Sequence, residues 1–337
     1  MSSSRRTLAA AALVVAALLG PLPAPAAETS ITDAAGRSVS LPASIERVMP
    51  AGPPADLLLL ALAPDRIVGL VEPFGEAQKS RVPPAWRGLP RVPRMTRDIS
   101  PADIEAVKAA HPDLIVDYGD VAPRYVAYAD KIATATRLPY AIFDGRLAET
   151  PRSVRAVAKL LGREARGEEV AKAAEDILES LQPLAGLPPD ERVAVYYARG
   201  SDGLQAVRPG STLDEAITLA GGHNIVPEGQ GAFVKLTIDD VVRLAPQVVV
   251  VADPAAAASG SPLRAALPRE TRFLADRGAP FRWMEAPPSL NRLIGALWLA
   301  SRLHPEHVTF DVQRAKSVIA ALFGLDLGEA DVAAMLQ

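Results

Sequence analysis

The stretch TPRSVRAVAKLLGREARGEEVAKAAEDILESLQP, residues 150–183, decides the organisation of this chain. Its apolar residues recur every three or four positions, which is the spacing of an amphipathic helix. Gly162 predicts the end of a first helix, and a second helix is predicted over residues 164–181, where Pro183 would stop it. At about 1.5 Å per residue, the second helix forms a rod of roughly 27 Å, long enough to connect two small domains.

Two similar segments stand on either side of this rod. Residues 99–120, ISPADIEAVKAAHPDLIVDYGD, precede it, and residues 235–254, KLTIDDVVRLAPQVVVVADP, follow it. Each has a short amphipathic helix, a proline and an apolar run, which together form the helix–strand half-unit of a parallel sheet. The sequence therefore predicts an α/β fold of two lobes with mostly parallel central sheets, joined by one long linker helix.

These segments set the predicted domain boundaries. Residues 27–149 are assigned to an N-terminal α/β lobe, residues 150–183 to the terminal helix of that lobe and the linker helix, and residues 184–337 to a C-terminal α/β lobe. The length of 337 residues is sufficient for two such lobes. Within the lobes, short apolar runs predict strands at, among other places, residues 67–71 and 282–284.

The first 26 residues have the features of a signal peptide. Arg5 and Arg6 form a basic start, residues 8–19 an apolar core and residues 24–26 a small-residue cleavage site. The apolar core is too short to span a membrane. Residues 4–8 resemble part of a twin-arginine signal, but Ala9 and Ala10 depart from its usual continuation, so the segment favours the general secretion route over the twin-arginine route. Because the chain has no cysteine, it is expected to be an exported, unanchored periplasmic protein rather than a lipoprotein, and to have no disulfides.

Composition and motifs exclude several classes of function. The net charge of −3 offers no basic surface for a nucleic-acid partner. The nucleophile elbow, the phosphate-binding loop and the dinucleotide-binding glycine motif are all missing from the sequence. His304 and His307 are interpreted as part of an exposed helix end and His223 as a surface residue, and no histidine has the spacing of a zinc site. No catalytic residue, metal ligand or cofactor is therefore predicted.

Loops that follow the strands supply the candidate binding residues, since open α/β sheets bind ligands at the carboxyl ends of their strands. Arg292 stands at a predicted helix start, where free amide hydrogens and a guanidinium favour an anion. The alternative for Arg292 is a surface ion pair on its helix. The predicted ligand-binding residues are Gly52, Pro53, Phe74, Met95, Thr96, Arg97 and Tyr118 from the first lobe and Tyr197, Arg199, Gly200, Ser289, Asn291 and Arg292 from the second.

Several segments together resemble one known family. These are the hairpin with Asp-Ala-Ala-Gly-Arg at residues 33–37, the segment 105–113, the linking rod and the Gly-Gly-His-Asn turn at residues 221–224. The chain is similar to the class III, helix-linked periplasmic substrate-binding proteins of ABC importers, which serve iron–siderophores, haem and cobalamin. Residues 197–203 and 287–295 look more particularly like an iron-transport branch that also contains molybdate and tungstate binders. The resemblance covers nearly all of the chain after its signal segment.

This resemblance implies a function and a set of partners. The protein would act as a monomer and capture a small ligand between its lobes, for delivery to a permease dimer in the inner membrane with its cytoplasmic ATPase. Family members that hold bare metal ions use His, Glu or Tyr ligands, and no such set is visible here. The implied ligand is therefore an iron–siderophore-type chelate or a molybdate or tungstate oxyanion. A Glu on each lobe of such proteins pairs with permease arginines, which assigns docking to Glu105 and Asp239. The alternative is an exported enzyme or signalling module on the same fold.

Overall fold

The computed structural model describes residues 29–337. The predicted signal peptide, residues 1–26, lies outside the described residues. Among the described residues, no helix combines the length and the apolar character needed to cross a membrane.

The N-terminal lobe is built on three parallel strands. Its elements are β1 (Thr29–Thr32), β2 (Ser38–Leu41), β3 (Val48–Pro50), α1 (Pro53–Leu62), α2 (Glu76–Lys79), α3 (Pro84–Arg87), α4 (Pro101–Ala109), β4 (Leu114–Gly119), α5 (Pro123–Thr136) and β5 (Tyr140–Asp144). The first two strands form an antiparallel hairpin, as the sequence predicts. The others form a sheet in the order β3-β4-β5, with Val48 opposite Leu114 and Ile115 opposite Tyr140. All three carboxyl ends therefore lie at one edge of this sheet.

Two helices follow the N-terminal sheet, α6 (Thr150–Leu160) as the terminal helix of that lobe and α7 (Glu164–Ala185) as the linker helix. Gly162 separates them with φ of +59°, a conformation that glycine adopts without steric penalty. The expectation that Pro183 stops the second helix is wrong, because α7 continues through it over 22 residues. A proline in the last turn removes only one backbone hydrogen bond. Leu181 and Leu184 on either side of it are buried, so core packing maintains the helix.

The C-terminal lobe contains a larger, mixed sheet. Its elements are β6 (Val193–Arg199), β7 (Gln205–Val207), α8 (Asp214–Leu219), β8 (Gly222–Asn224), β9 (Phe233–Lys235), α9 (Ile238–Leu244), β10 (Val248–Val251), α10 (Pro262–Ala266), β11 (Arg272–Ala275), α11 (Asn291–Leu303), α12 (Val312–Phe323) and α13 (Glu329–Met335). The strands lie in the order β11-β10-β6-β7-β9, and β8 pairs with β6. Strands β11, β10, β6 and β8 are parallel, whereas β7 pairs antiparallel with both of its neighbours.

Two predicted strands are corrected by the structure. Residues 67–71 form two isolated bridges instead of a strand. Ile67 pairs with Val48 on one side, and Leu70 pairs with Arg91 on the other. Residues 282–284 do not form a strand either. The backbone N–H groups of Trp283 and Met284 donate to the buried carboxylate of Asp276, at 3.1 and 2.7 Å, so they are not available to a sheet ladder. The strand in this region is β11, which ends just before Asp276.

A single hydrophobic core crosses from one lobe to the other. It includes Leu58 of α1, Leu181 of α7, Leu297 of α11 and Leu322 of α12. The opposite face of each sheet has its own separate core. The predicted fold class, two α/β lobes with mostly parallel sheets joined by one long helix, is confirmed. We retain residues 27–149, 150–183 and 184–337 as the proposed limits of the lobes and the linker.

Candidate ligand-binding cleft

The loops at the strand ends of the two lobes contact each other directly. Ser289 Oγ, from the loop before α11, donates to the backbone carbonyl of Pro54 at the start of α1, at 2.7 Å. Gln78 Nε2 of α2 donates to the carbonyl of Pro280 at 2.6 Å. Since α1 follows β3 immediately, the first contact places the carboxyl edge of the N-terminal sheet against the loop before α11. This seam is the candidate cleft.

Arg292 is a buried tie between the lobes. Its side chain is 1% exposed and pairs with the Glu215 carboxylate at 2.9 Å. It also donates to the carbonyl of Thr212 and, at 2.5 Å, to the carbonyl of Gly145 at the end of β5. Glu215 in turn accepts the backbone N–H of Leu147 at 3.0 Å. The surface ion pair considered from the sequence is thus a pair between a buried guanidinium and a half-buried carboxylate, and its contacts in the N-terminal lobe are Gly145 and Leu147.

Asn291 and Ser289 are also fully buried and serve the loop before α11. Asn291 Nδ2 donates to the carbonyl of Arg282 at 2.5 Å, while its Oδ1 accepts the backbone N–H of Ser289 at 3.0 Å. These bonds use the side-chain polar atoms that the sequence analysis expects to face a ligand. Both residues therefore shape the loop that borders the cleft.

Arg199 at the end of β6 has three side-chain contacts. Its guanidinium pairs with Glu285 at 2.7 Å and donates to Gln205 at 2.6 Å. It also lies over the ring of Phe233, 4.2 Å from the centroid, which is the geometry of a cation–π contact. Burial raises the pKa of Glu285, and the adjacent Arg199 opposes that rise. Gly200 follows with φ of +77° and turns the chain away from the sheet.

The two candidate tyrosines are buried and differ in their hydrogen bonding. The hydroxyl of Tyr118 lies 3.1 Å from Thr150 Oγ1, and burial raises its pKa to about 12. The hydroxyl of Tyr197 is buried without a hydrogen-bond partner among the described residues. Burial raises the pKa of Tyr197 well above its usual range, so this hydroxyl stays protonated. It is an unused donor at the end of β6.

The remaining candidates from the first lobe form closely packed loops. A Cβ on Gly52 would lie 3.1 Å from Cγ2 of Thr96, so a glycine there lets the two loops approach. Met95 is fully buried and its N–H donates to the carbonyl of Ala51 at 2.6 Å, while Pro53 is buried beside it. Phe74 stacks on Trp86 with ring centroids 6.3 Å apart.

Arg97 differs from the other candidate arginines because it is exposed. No hydrogen bond or ion pair joins its side chain to another residue within 29–337. It lines a cavity of about 590 Å³ together with Arg91 and Arg94. The sequence analysis missed these two arginines, although their spacing of three residues in RVPRMTR, residues 91–97, is a signal that could have identified them.

Beside this cavity, a buried carboxylate holds the loop after residue 70. Asp56 of α1 accepts the backbone N–H groups of Val71 and Glu72, both at 3.0 Å. Burial raises the pKa of Asp56 to about 7, and the two backbone hydrogen bonds oppose the rise. Asp56 is a second residue that sequence reasoning missed, since nothing local distinguishes it from an exposed helical acid.

The two predicted docking residues are exposed but occupy different helix positions. Asp239 lies in the first turn of α9. Glu105 is the fifth residue of α4 and pairs with Lys108 at 3.0 Å. Ser100 begins α4 one turn earlier through a capping box with Asp103, so Glu105 stands in the second turn of the helix.

One of the histidines expected to be exposed is buried in the structure. His304 is buried rather than exposed, and its Nε2 lies 3.2 Å from the carbonyl of Gly221. His307 and His223 are exposed, as expected. Within the described part of the chain, no cluster of three or more His, Cys, Asp or Glu side chains is arranged to hold a metal ion.

Comparisons with known proteins agree with this architecture. No curated protein matches the sequence significantly. Among solved structures, an ABC transporter solute binding protein from Sulfurospirillum deleyianum is 22% identical with a TM-score of 0.81, and the match covers 91% of this chain and 98% of that one. The molybdate-bound protein MolA of Haemophilus influenzae is 18% identical with a TM-score of 0.68, covering 89% and 99%. CeuE of Helicobacter pylori with Ni(II) bound is 15% identical with a TM-score of 0.67, covering 92% and 100%.

The family assignment comes from a sequence match. The family model described as periplasmic binding protein matches residues 79–266, which is more than half of the chain. Members of this family bind solutes for transport, so the enzyme alternative is set aside, and the resemblance drawn from the sequence is confirmed. The chain belongs to the periplasmic binding protein family.

Proposed function

We propose that this binding protein captures an anionic metal-containing compound between its lobes and delivers it to an ABC permease in the inner membrane. The compound is an iron–siderophore-type chelate or a molybdate or tungstate oxyanion. The observation that carries the proposal is the meeting of strand-end loops from both lobes at the cleft, shown by the contact of Ser289 with Pro54. The neighbours with bound molybdate and bound Ni(II) support a metal-containing ligand.

The positive charge at this edge supports an anion. Arg97 is exposed at the strand-end loops of the N-terminal lobe without an ion-pair partner within residues 29–337, whereas the half-buried Arg199 at the end of β6 is paired with Glu285. An arginine fork matches the geometry of carboxylate and oxyanion oxygens. The buried members of the predicted set, such as Met95 and Asn291, would act by shaping the loops that carry these groups.

Export and docking complete the proposal. Residues 1–26 are the proposed signal peptide, and Glu105 and Asp239 are the proposed contacts with the two permease subunits. Both carboxylates are exposed on the helices that precede a central strand, α4 before β4 and α9 before β10. The two helices are therefore equivalent in the two lobes, although Glu105 stands in the second turn of α4 and Asp239 in the first turn of α9. The protein would act as a monomer.

The test is a thermal-shift screen followed by calorimetry of each compound that stabilises the protein. Molybdate, tungstate, ferric siderophores, haem and cobalamin should be compared with sulfate as the control. A ligand present at 100 times its dissociation constant stabilises a protein by about 2.7 kcal/mol, which is a clear shift in melting temperature. Stabilisation by haem or cobalamin alone, or by no compound of the panel, would contradict the proposal.

A further inference from the structure

We infer that the charge of the transported compound is held by a pocket that lies wholly in the N-terminal lobe and takes a carboxylate of an organic ligand. We call this pocket the arginine pocket and define it by Arg91, Arg94 and Arg97. The inference rests on the proposed function, because it names the part of the same protein that holds the anionic group. It also chooses between the two ligand classes that the proposed function leaves open.

The arginine pocket has an apolar base and a charged rim. Its volume is about 590 Å³, and its base is formed by the buried Val71 and Val92. Every residue that lines it belongs to the N-terminal lobe: Val71, Glu72, Arg91, Val92, Pro93, Arg94, Arg97, Asp103 and Ala106. The pocket therefore exists without any contribution from the C-terminal lobe, so binding there would not require the lobes to close.

The charges on the rim leave an excess of one positive charge. The lining of the pocket contains three arginines but only two acids, Glu72 and Asp103. The Asp103 carboxylate accepts the backbone N–H and the hydroxyl of Ser100, both at 2.9 Å, and these bonds lower its pKa. Asp103 is thus occupied with capping α4, while Arg97 has no hydrogen-bond or ion-pair partner within residues 29–337.

Arg94 can exchange Glu72 for a ligand carboxylate with little loss of free energy. Its ion pair with Glu72, 2.8 Å long, joins two side chains that are 41% and 57% exposed. Exposed pairs of this kind contribute little to stability because water and salt screen them. An incoming carboxylate could therefore be held by the forks of Arg94 and Arg97 together, since guanidinium groups bind carboxylates through two parallel hydrogen bonds.

The arginines of the C-terminal lobe are in the opposite situation. Glu285, the partner of Arg199, is 11% exposed, and Arg292 is itself 1% exposed in its pair with Glu215. An anion that displaced either carboxylate would leave a charged group poorly solvated, which is strongly unfavourable. The anion therefore goes to Arg97 and Arg94 in preference to Arg199 and Arg292.

The size of the arginine pocket indicates the class of ligand. Pockets that bind organic ligands have volumes of roughly 300–1,000 Å³ and combine apolar surface with polar groups that fix the orientation of the ligand. A bare tetrahedral oxyanion would contact two arginines and leave the apolar base covered by water. An organic carboxylate, free or as part of a metal chelate, would contact the arginines and also cover the apolar base.

The experiment measures calorimetric binding of citrate, ferric citrate and molybdate to the full chain and its variants. Arg97→Gln and Arg94→Gln remove one cation each from exposed positions, so folding should be unaffected, and the melting temperature verifies this. Arg269→Gln is the control, because Arg269 is an exposed arginine of the other lobe that forms no hydrogen bond or ion pair within the described residues. Citrate or ferric citrate should bind the parent, with at least tenfold weaker binding to each pocket variant and unchanged binding to the control.

Three outcomes would overturn the inference. These are equal binding of the carboxylates to the parent and both pocket variants, binding of molybdate but of neither carboxylate, and binding of none of the three. The proposed function fails by a different result in its own panel, which is stabilisation by haem or cobalamin alone or by no compound. A metal compound that binds with undiminished affinity to Arg97→Gln would preserve the proposed function and remove the arginine pocket from it.

Discussion

The side chains of Arg292 and Glu215 connect α11 and α8 of the C-terminal lobe to the chain that follows β5 in the N-terminal lobe. The guanidinium reaches the end of β5 through Gly145, and the carboxylate reaches the next turn through the N–H of Leu147. Burying such a pair gives little net stability, but removing one partner leaves the other uncompensated. The pair therefore adds little to the free energy of unfolding of the intact protein, but losing either partner would disturb the contact between the lobes.

Arg292→Met should destabilise the protein, and Glu215→Leu should do so more strongly, because it leaves the 1% exposed guanidinium of Arg292 without its carboxylate. Glu215 is 27% exposed, so it keeps some contact with water when the guanidinium is lost. We expect a loss of about 3 kcal/mol in the free energy of unfolding for Arg292→Met, at the lower end of the range for broken buried pairs. Urea unfolding measures it. If the two single changes and the double change gave strictly additive losses, the pair would not be coupled.

Asp56 gives the protein a predictable dependence on pH. Its pKa in the folded chain is about 7, compared with about 3.9 in unfolded chains, so the folded state binds the proton more tightly. The resulting stabilisation is complete below about pH 4 and is lost as the pH rises through 7. Burial raises the pKa of Asp117 to about 6 in the same way, so Asp117 contributes less than Asp56 to the loss above pH 6.

We therefore expect the free energy of unfolding to fall between pH 6 and pH 8, by on the order of 1–2 kcal/mol. Asp56→Asn should remove most of this change, although it also weakens one of the two backbone hydrogen bonds. Asp326→Asn is the control, because that side chain is 98% exposed. Unfolding by urea at several pH values measures the effect, and an equally steep fall in Asp56→Asn would show that other groups cause it.

At the level of elements, α6 and α7 touch almost backbone to backbone. A Cβ added to Gly167 of α7 would lie only 2.2 Å from Cβ of Ala158 in α6. Glycine in a helix is normally unfavourable relative to alanine, by about 1 kcal/mol. Its presence here is explained by the close crossing, which fixes the direction in which the linker helix leaves the first lobe.

Gly167→Ala should destabilise the protein even though it improves helix propensity. Relieving the overlap requires the two helices to move apart, and overpacking of this kind costs roughly 1–3 kcal/mol. Gly186→Ala at the end of α7 is the matched control, since its Cβ would have no neighbour closer than 3.6 Å. Thermal unfolding of both variants decides the matter. A gain of stability in Gly167→Ala would mean that the crossing yields easily.

For the whole molecule, the shared core restricts how the lobes can move. The core runs from α1 through α7 to α11 and α12, and Arg166 of α7 donates to carbonyls on both sides, Ala61 and Leu322. Any change between open and closed forms must preserve this packing, because interiors of this density do not deform continuously. Small movements at the cleft are therefore expected, rather than a wide hinge opening.

The docking proposal is tested by reversing both charges, Glu105→Lys with Asp239→Lys. Ligand affinity should be retained, since neither side chain takes part in the contacts between the strand-end loops, while stimulation of the permease ATPase in membranes should fall sharply. The control is Glu179→Lys with Glu270→Lys, two exposed acids outside the proposed docking helices. Transport by the double variant at the parental rate would remove both residues from the docking surface.

Local patterns were sufficient to predict the architecture. The helical spacing in residues 150–183, the repeated helix–strand units and the hairpin at residues 31–41 depend on residues close together in the chain, and periodicity records such neighbours directly. The family resemblance relied on the same ordered segments. These features established two α/β lobes, one linker helix and a binding function before any contact was known.

The partners of the functional side chains were decided only by the tertiary structure. Arg292 meets Glu215 and Gly145, which lie 77 and 147 residues away along the chain. Pro183 remains helical because the core holds its neighbours, and Asp276 takes the N–H groups of a segment that otherwise resembles a strand. In each case a long-range contact outweighs a local preference of about 1–3 kcal/mol, and a single sequence contains no direct record of such contacts.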